Sequence, residues 1–144
     1  MPAFTNPNKL PLKELSLACN SLEDKECGEF IAKIVIKHSE ARDEIFWQYG
    51  LRSELPPPNE VVGLKKLDLS INKLGNFTAY HLSKALKNDC FLRQLNLCSN
   101  AIGKEGIFDM LDRIKQNTSL LNLDLRDNDG FKTKSHRKLA LKLL

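Results

Sequence analysis

The stretch Leu92-Arg93-Gln94-Leu95-Asn96-Leu97-Cys98-Ser99-Asn100 sets leucines at its first, fourth and sixth places and an asparagine at its ninth. The frame returns at Leu64, Leu67, Leu69 and Asn72, and again at Leu120, Leu123, Leu125 and Asn128. Its first leucines stand 28 residues apart twice over, and a further copy opens at Leu12, with Leu15, Leu17 and Asn20. Self-similarity at a fixed period of this length marks a solenoid, in which each unit buries its apolar face against its neighbours. Side chains alternate sides along a strand, so Leu95 and Leu97 face the core while Gln94, Asn96 and Cys98 face out.

The frame is that of a leucine-rich repeat. The expected fold is an α/β solenoid of about four repeats, a horseshoe segment with a parallel sheet on its concave side; the repeats resemble the ribonuclease-inhibitor type. Strands are expected at Glu14–Leu17, Lys66–Leu69, Gln94–Leu97 and Asn122–Leu125. Helical periodicity places Phe30, Ile31, Ile34 and Val35 of a helix starting at Asp24 against the strand layer. Ala79, Leu82, Ala85 and Leu86 do the same in repeat two. In repeat three, Gly103 and Gly106 frame the turn into a helix carrying Ile107, Met110, Leu111 and Ile114. Repeat four is expected to end in a helix from about Thr133, with Leu139, Ala140 and Leu143 inward. Asn20, Asn72, Asn100 and Asn128 should stack in a ladder that satisfies backbone groups at the turns.

One domain over residues 1–144 is expected, with an insertion at about residues 39–62. Leu12 and Leu64 stand 52 residues apart, one period plus about 24 residues of extra chain. The insert holds Arg42, Glu44, Ile45, Phe46, Trp47, Tyr49, Leu51 and Arg52, and closes on Glu54-Leu55-Pro56-Pro57-Pro58-Asn59-Glu60, which cannot remain helical. Phe46, Trp47 and Tyr49 are expected to pack onto the helix layer; Trp47 and Arg52 are the candidate anchors for a partner. Residues 1–11, with Pro2, Pro7 and Pro11, read as an irregular lead-in and not as a cap. An exposed edge near Leu12–Leu17 is therefore expected, one that self-associates or takes upstream repeats.

Bulk properties narrow the function. Hydrophobic residues make up 42%, charged residues 28%, and the net charge is +4, an ordinary soluble balance with a mild preference for acidic partners. No apolar run reaches the length that spans a bilayer, and the N-terminus lacks the features of a signal peptide. A reducing compartment is expected, with Cys19, Cys27, Cys90 and Cys98 as free thiols. Those cysteines form no C-x-x-C pair, which argues against zinc, and the sequons at Asn76 and Asn117 should stay unmodified.

The outward strand positions give the candidate binding surface: Glu14, Ser16 and Ala18; Lys66, Asp68 and Ser70; Gln94, Asn96 and Cys98; Asn122, Asp124 and Arg126. Repeat proteins commonly bind partners on such a surface. No catalytic motif is present. His38, His81 and His136 belong on or near helices, Cys98 has no histidine beside it, and Asp68 and Asp124 are separated by the strand of Asn96. No enzyme activity and no cofactor are expected. The basic run Lys132, Lys134, Arg137, Lys138 and Lys142 suits a capping helix or an acidic surface such as a tubulin tail. It lacks the interleaved aromatics of a nucleic-acid site, so neither nucleic acid nor membrane is an expected partner.

The insert carries the most specific likeness. Arg42 and Glu44 precede Trp47, Leu51-Arg52 follow it, and Pro56 and then Gly63-Leu64 open the next repeat. Together with Cys19-Asn20 of repeat one, this resembles the leucine-rich-repeat region of the centrosomal protein of seventy-eight kilodaltons family, over roughly Leu12 to Asn128. The tripled proline and a longer strand-to-helix turn in repeat one depart from that pattern. The resemblance implies a non-enzymatic scaffold of centrosomes, centrioles and basal bodies, linked to ciliogenesis and to a ubiquitin-ligase assembly. Centriolar or ubiquitin-ligase components are then the expected partners. The alternatives are a repeat protein like the Ran GTPase activator, which typically carries an acidic tail where this chain is basic, and an axonemal or actin-regulating repeat protein.

Overall fold

A computed structural model describes residues 12–58 and 63–131. The elements alternate: β1 (Glu14–Ser16), α1 (Asp24–Gly50), β2 (Lys66–Asp68), α2 (Asn76–Asn88), β3 (Gln94–Asn96), α3 (Lys104–Ile114), β4 (Asn122–Asp124), then a 3₁₀ turn over Asp129–Phe131. The strands form one parallel sheet in the order β1-β2-β3-β4. Its register follows the repeat frame: Leu15, Leu67, Leu95 and Leu123 are direct partners across the three pairings. The expected helix of repeat four, His136 and the basic run from Lys132 lie outside the described residues, as do residues 59–62 of the insert.

Core burial follows from the frame. Leu64, Leu67, Leu69, Leu92, Leu95 and Leu97 are essentially closed to solvent. Each fully buried leucine contributes about 1.5–3 kcal/mol through removal of apolar surface from water. Leu15, Leu17, Leu120 and Leu123, in the two outer repeats, are only partly buried against the same core. The helices complete it with Ile31, Ala32 and Val35 of α1, Ala79, Leu82, Ala85 and Leu86 of α2, and Ile107, Met110 and Leu111 of α3.

Two helix expectations need correction. Phe30 is 66% exposed, because Ile31, Ala32 and Val35 already fill the side of α1 that meets the core. Gly106 lies inside the first turn of α3, leaving Gly103 alone as the residue before the helix. Close helix approach explains Gly28 instead: a Cβ there would sit 2.9 Å from Phe77 Cδ1 and 3.1 Å from the Thr78 backbone, so a side chain would push α1 off α2.

The insert begins as a continuation of α1. Nothing between Asp24 and Gly50 breaks the helix, which ends where the Leu51, Ser53 and Glu54 N–H groups fold back onto the Trp47, Gly50 and Tyr49 carbonyls. At 27 residues α1 is about 40 Å long, against about 20 Å for the 13 residues of α2. Its second half therefore outruns its neighbour. The expected packing of the aromatics fails for this reason: Trp47 is 66% exposed, Phe46 is 36% exposed with the Arg42 guanidinium over its ring, and only Tyr49 is partly covered.

The residue before each frame asparagine adopts a left-handed backbone: Cys19, Ile71, Ser99 and Asp127, with φ of 58°, 55°, 56° and 57°. Serine and aspartate tolerate this; a β-branched side chain does not. Ile71 is also largely exposed, so its side chain gains little burial in return. Ile71→Asn is expected to raise stability by about 1 kcal/mol, read as a higher urea midpoint with an unchanged slope.

Candidate functional site

Asparagine side chains set the shape of the sheet's exit edge. Asn100 Nδ2 donates to the Leu69, Leu97 and Cys98 carbonyls at 3.0, 3.1 and 3.3 Å, and its Oδ1 accepts the Leu74 N–H at 3.1 Å. Asn128 repeats the pattern with Leu97, Leu125 and Arg126 as acceptors and the Ile102 N–H as donor. Asn72 donates to Leu17, Leu69 and Ser70 and accepts from Asn20 and Leu22. Each carboxamide thus joins its own repeat to the preceding one. Asn20 is the exposed first rung, its side-chain amide donating to the Ala18 carbonyl.

With the edge fixed, the outward residues fall into in-register rows. Glu14, Lys66, Gln94 and Asn122 form one row; Ser16, Asp68, Asn96 and Asp124 form the next. They line an open groove of about 1150 Å³, together with Arg126 and Asp127. Lys66 Nζ lies 3.4 Å from Glu14 Oε1 across the first two strands.

The second row is less free than its position suggests. Asp68, Asn96 and Asp124 each accept the N–H two residues on, from Ser70, Cys98 and Arg126, at 3.0, 2.9 and 3.0 Å. These side chains therefore end the strands as well as face the groove. Arg126 folds back onto Asp124, donating from Nε and Nη2 at 3.0, 3.1 and 2.7 Å. Hydrogen bonding from Arg126 holds the Asp124 carboxyl below its ordinary value, and the same pairing raises the guanidinium.

Two outward positions change character. Ser70 is buried at 9% exposure, a correction to its reading as surface: the chain turns there, and its carbonyl receives the Cys19 N–H and the Asn72 amide. Cys98 is half-buried, its Sγ 3.4 Å from Ser99 Oγ and 3.9 Å from Asp127 Oδ2. All four cysteines are free thiols. The candidate anchors Trp47 and Arg52 lie elsewhere, Trp47 on the last turns of α1 and Arg52 in the turn that follows, both exposed.

Asp68 and Asp124 are two strands apart, about 10 Å at the usual strand spacing, with Asn96 between them. His38 and His81 belong to α1 and α2. Burial holds the His38 imidazole below its ordinary value, opposed by the Asp89 carboxylate. Among the described residues no cluster of histidine, cysteine, aspartate and glutamate could hold a metal ion, and no helix is long and apolar enough to cross a membrane.

The frame alone did not reveal two further polar ladders. Asp89 accepts the Phe91 and Leu92 N–H groups and the Ser39 hydroxyl, tying α1 to the turn before β3. Asn117, 28 residues on, accepts from Ser119 and Leu120 and donates to the Leu86 and Asp89 carbonyls. Asp24, at the start of α1, caps α2: it accepts the Gly75, Phe77 and Thr78 N–H groups at 2.8, 3.2 and 2.8 Å. Asn76 holds the Gly103 N–H before α3 in the same way. Both sequon asparagines are thus committed to the fold.

Burial pushes the Asp24 carboxyl up, but the bonds from the Thr78 hydroxyl and from the Thr78, Gly75 and Phe77 N–H groups outweigh it and hold the carboxyl below its ordinary 3.8. A carboxyl lowered on folding stabilises fully above its unfolded value and loses that contribution as pH falls through the lowered one. Asp24→Ala is therefore expected to reduce stability by about 0.5–2 kcal/mol at neutral pH and to shrink the loss seen below about pH 4. Urea melts from neutral to acid pH read both effects.

A family profile described as Leucine Rich repeat matches residues 88–110. The centrosomal protein of 78 kDa of Homo sapiens is 32% identical over 102 residues, 70% of this chain and 15% of that protein. Its Mus musculus counterpart is 30% identical over 123 residues, 84% of this chain and 15% of the relative. In Xenopus tropicalis the figures are 33% over 93 residues, 64% and 12%. The chain thus spans about 15% of the length of the mammalian relatives it matches. Among solved structures, leiomodin-1 actin-binding site 2 superposes with a TM-score of 0.63 at 16% identity, covering 91% of this chain and 62% of that one, a likeness of fold alone. The shared name of the curated relatives places their family at the centrosome. By its repeat frame, its insert and this likeness, the chain is a leucine-rich-repeat member of the centrosomal protein of 78 kDa family.

Proposed function

We propose that the chain is a non-enzymatic protein-interaction scaffold of the centrosome, centriole and ciliary basal body, acting in ciliogenesis and in ubiquitin-ligase-linked regulation. The observation that carries this reading is the in-register concave sheet, whose outward residues Glu14, Ser16, Lys66, Gln94 and Asn122 are exposed. Extended concave surfaces are how repeat proteins meet their partners. The exposed Trp47 adds a second contact point, since aromatic anchors dominate interface energetics.

A tagged full-length chain in ciliated cells is expected to concentrate at centrioles and to capture the same neighbours in repeated proximity labelling. Gln94→Arg on the sheet and Trp47→Ala on α1 leave the fold intact, because neither side chain is buried. Loss of capture with Gln94→Arg assigns binding to the concave face, and loss with Trp47→Ala assigns it to the insert. Diffuse cytosolic signal for the unaltered chain refutes the reading. The edge strand β1 supports self-association as well; a single sharply monomeric species in sedimentation at high concentration counts against it.

A further inference from the structure

The groove has one rim at which the strands enter the sheet and another at which they leave. At the entry rim, the residues just before β2, β3 and β4 are Lys65, Arg93 and Leu121, one repeat apart, and Lys13 holds the same place before β1. Backbone bonds lock these four positions into register. The Lys13 carbonyl accepts the Lys65 and Lys66 N–H groups at 2.7 and 3.1 Å, and the Lys65 carbonyl accepts those of Arg93 and Gln94 at 2.9 and 3.0 Å. The Arg93 carbonyl accepts those of Leu121 and Asn122 at 2.8 and 3.0 Å. Adjacent rungs therefore stand about 4.8 Å apart.

All four side chains are exposed, Leu121 to 73%. Among the described residues neither lysine nor Arg93 has an ion-pair partner; Arg93 Nη1 reaches only the Ser119 carbonyl, at 3.5 Å. Among the described residues the exit rim has the opposite sign, with Asp68, Asp124 and Asp127, and the Arg126 cation there is held by Asp124. The sheet is thus polarised along its strands, basic where they enter and acidic where they leave.

We propose that the strip Lys13–Lys65–Arg93–Leu121 is a docking site for an extended acidic segment of a partner protein, crossing the strands with an apolar residue seated on Leu121. The proposal rests on the scaffold reading above and narrows it to one rim and one partner chemistry. Free cations in a row attract carboxylates and steer their approach, and the aspartates of the exit rim repel the same segment and confine it to the entry side. The exposed leucine sets the polarity, since Leu121 at the β4 end is 73% exposed and Leu12, beside Lys13 at the β1 end, 40%.

The test is fluorescence anisotropy at physiological ionic strength with labelled peptides: a glutamate-rich peptide carrying one leucine near an end, an all-glutamate peptide, and a lysine-rich control. The unaltered chain is expected to bind the first peptide best and the lysine-rich peptide least. The triple variant Lys13→Glu, Lys65→Glu, Arg93→Glu is expected to weaken binding roughly ten- to hundredfold. A charge-matched variant, Lys33→Glu with Lys37→Glu and Lys84→Glu on the helices, should weaken it less than about threefold, because charges farther than roughly 8 Å are screened. Leu121→Ala should weaken the leucine-bearing peptide and leave the all-glutamate one unchanged. Thermal melts confirm that every variant is folded.

No binding by the unaltered chain overturns the proposal, as does equal loss in the charge-matched variant or indifference to Leu121→Ala. In cells the two readings separate. Centriolar capture that survives the rim variant overturns the docking strip and leaves the scaffold standing. Peptide binding at the rim without any centriolar localisation supports the strip and refutes the scaffold.

Discussion

Asn100→Ala is expected to cost about 3–5 kcal/mol, a loss near the top of the range for single substitutions. Alanine fills little of the space and satisfies none of the groups the carboxamide serves. The Leu74 N–H and the Leu69 and Leu97 carbonyls belong to buried residues and would lose the bonds this side chain makes. Such orphaned groups cost about 1–3 kcal/mol each when water cannot reach them. Asn20→Ala, at the exposed first rung, is expected to cost under about 1 kcal/mol. Urea unfolding of the pair reads the difference, and equal midpoints would show that the asparagines do not couple the repeats.

The second large effect is a gradient along one row. Leu15, Leu67, Leu95 and Leu123 are register partners with the same side chain on the same face of the sheet. Leu67 and Leu95 are 1% exposed, whereas Leu15 and Leu123 are only partly buried. Truncation to alanine is expected to cost about 2–5 kcal/mol at the inner positions and about 1–2 kcal/mol at the outer ones, where the cavity opens to water and less apolar area was buried. The four variants in one denaturation series check this. A flat series would mean that the outer repeats pack as tightly as the inner ones, against the burial seen here.

The strands, their parallel order and their register were legible in the sequence because a period of 28 allows only one alignment of Leu67, Leu95 and Leu123. The ladder of Asn72, Asn100 and Asn128 followed from the same repetition. What the period could not supply was the extent of α1. Aromatic residues in an insert read as packing residues, but a helix of 27 residues beside one of 13 carries Trp47 past the end of its neighbour, where it is 66% exposed. Phe30 misleads in a similar way: it lies next to the buried stripe, and small differences of phase around a helix decide which apolar residue faces in. Ser70 continued the strand alternation on paper, yet the strand has already turned there.

The site was legible as a surface and less so as individual roles. Alternation placed Asp68, Asn96 and Asp124 outward, and the structure adds that each also closes its own strand end. The capping by Asp24 and Asn76 spans a gap of 52 residues, the irregular spacing that the insert creates. A search for polar residues at both 28 and 52 would have found that pair, and at 28 alone would have found Asp89 with Asn117. The cations of the entry rim recur at the same intervals, and their meaning emerges only when the carbonyls beneath them are seen to step from strand to strand.

The asparagine rungs point one way along the chain: each completes the turn of the repeat made before it. During synthesis, the loop after Leu17 therefore waits for Asn72 to leave the ribosome, and the loop after Leu69 waits for Asn100. Because a nascent chain emerges N-terminal end first, every repeat spends an interval translated but unclosed, and the long excursion ahead of Leu64 makes that interval longest for the first. An early repeat that stays open until its successor arrives is one that a chaperone can reach.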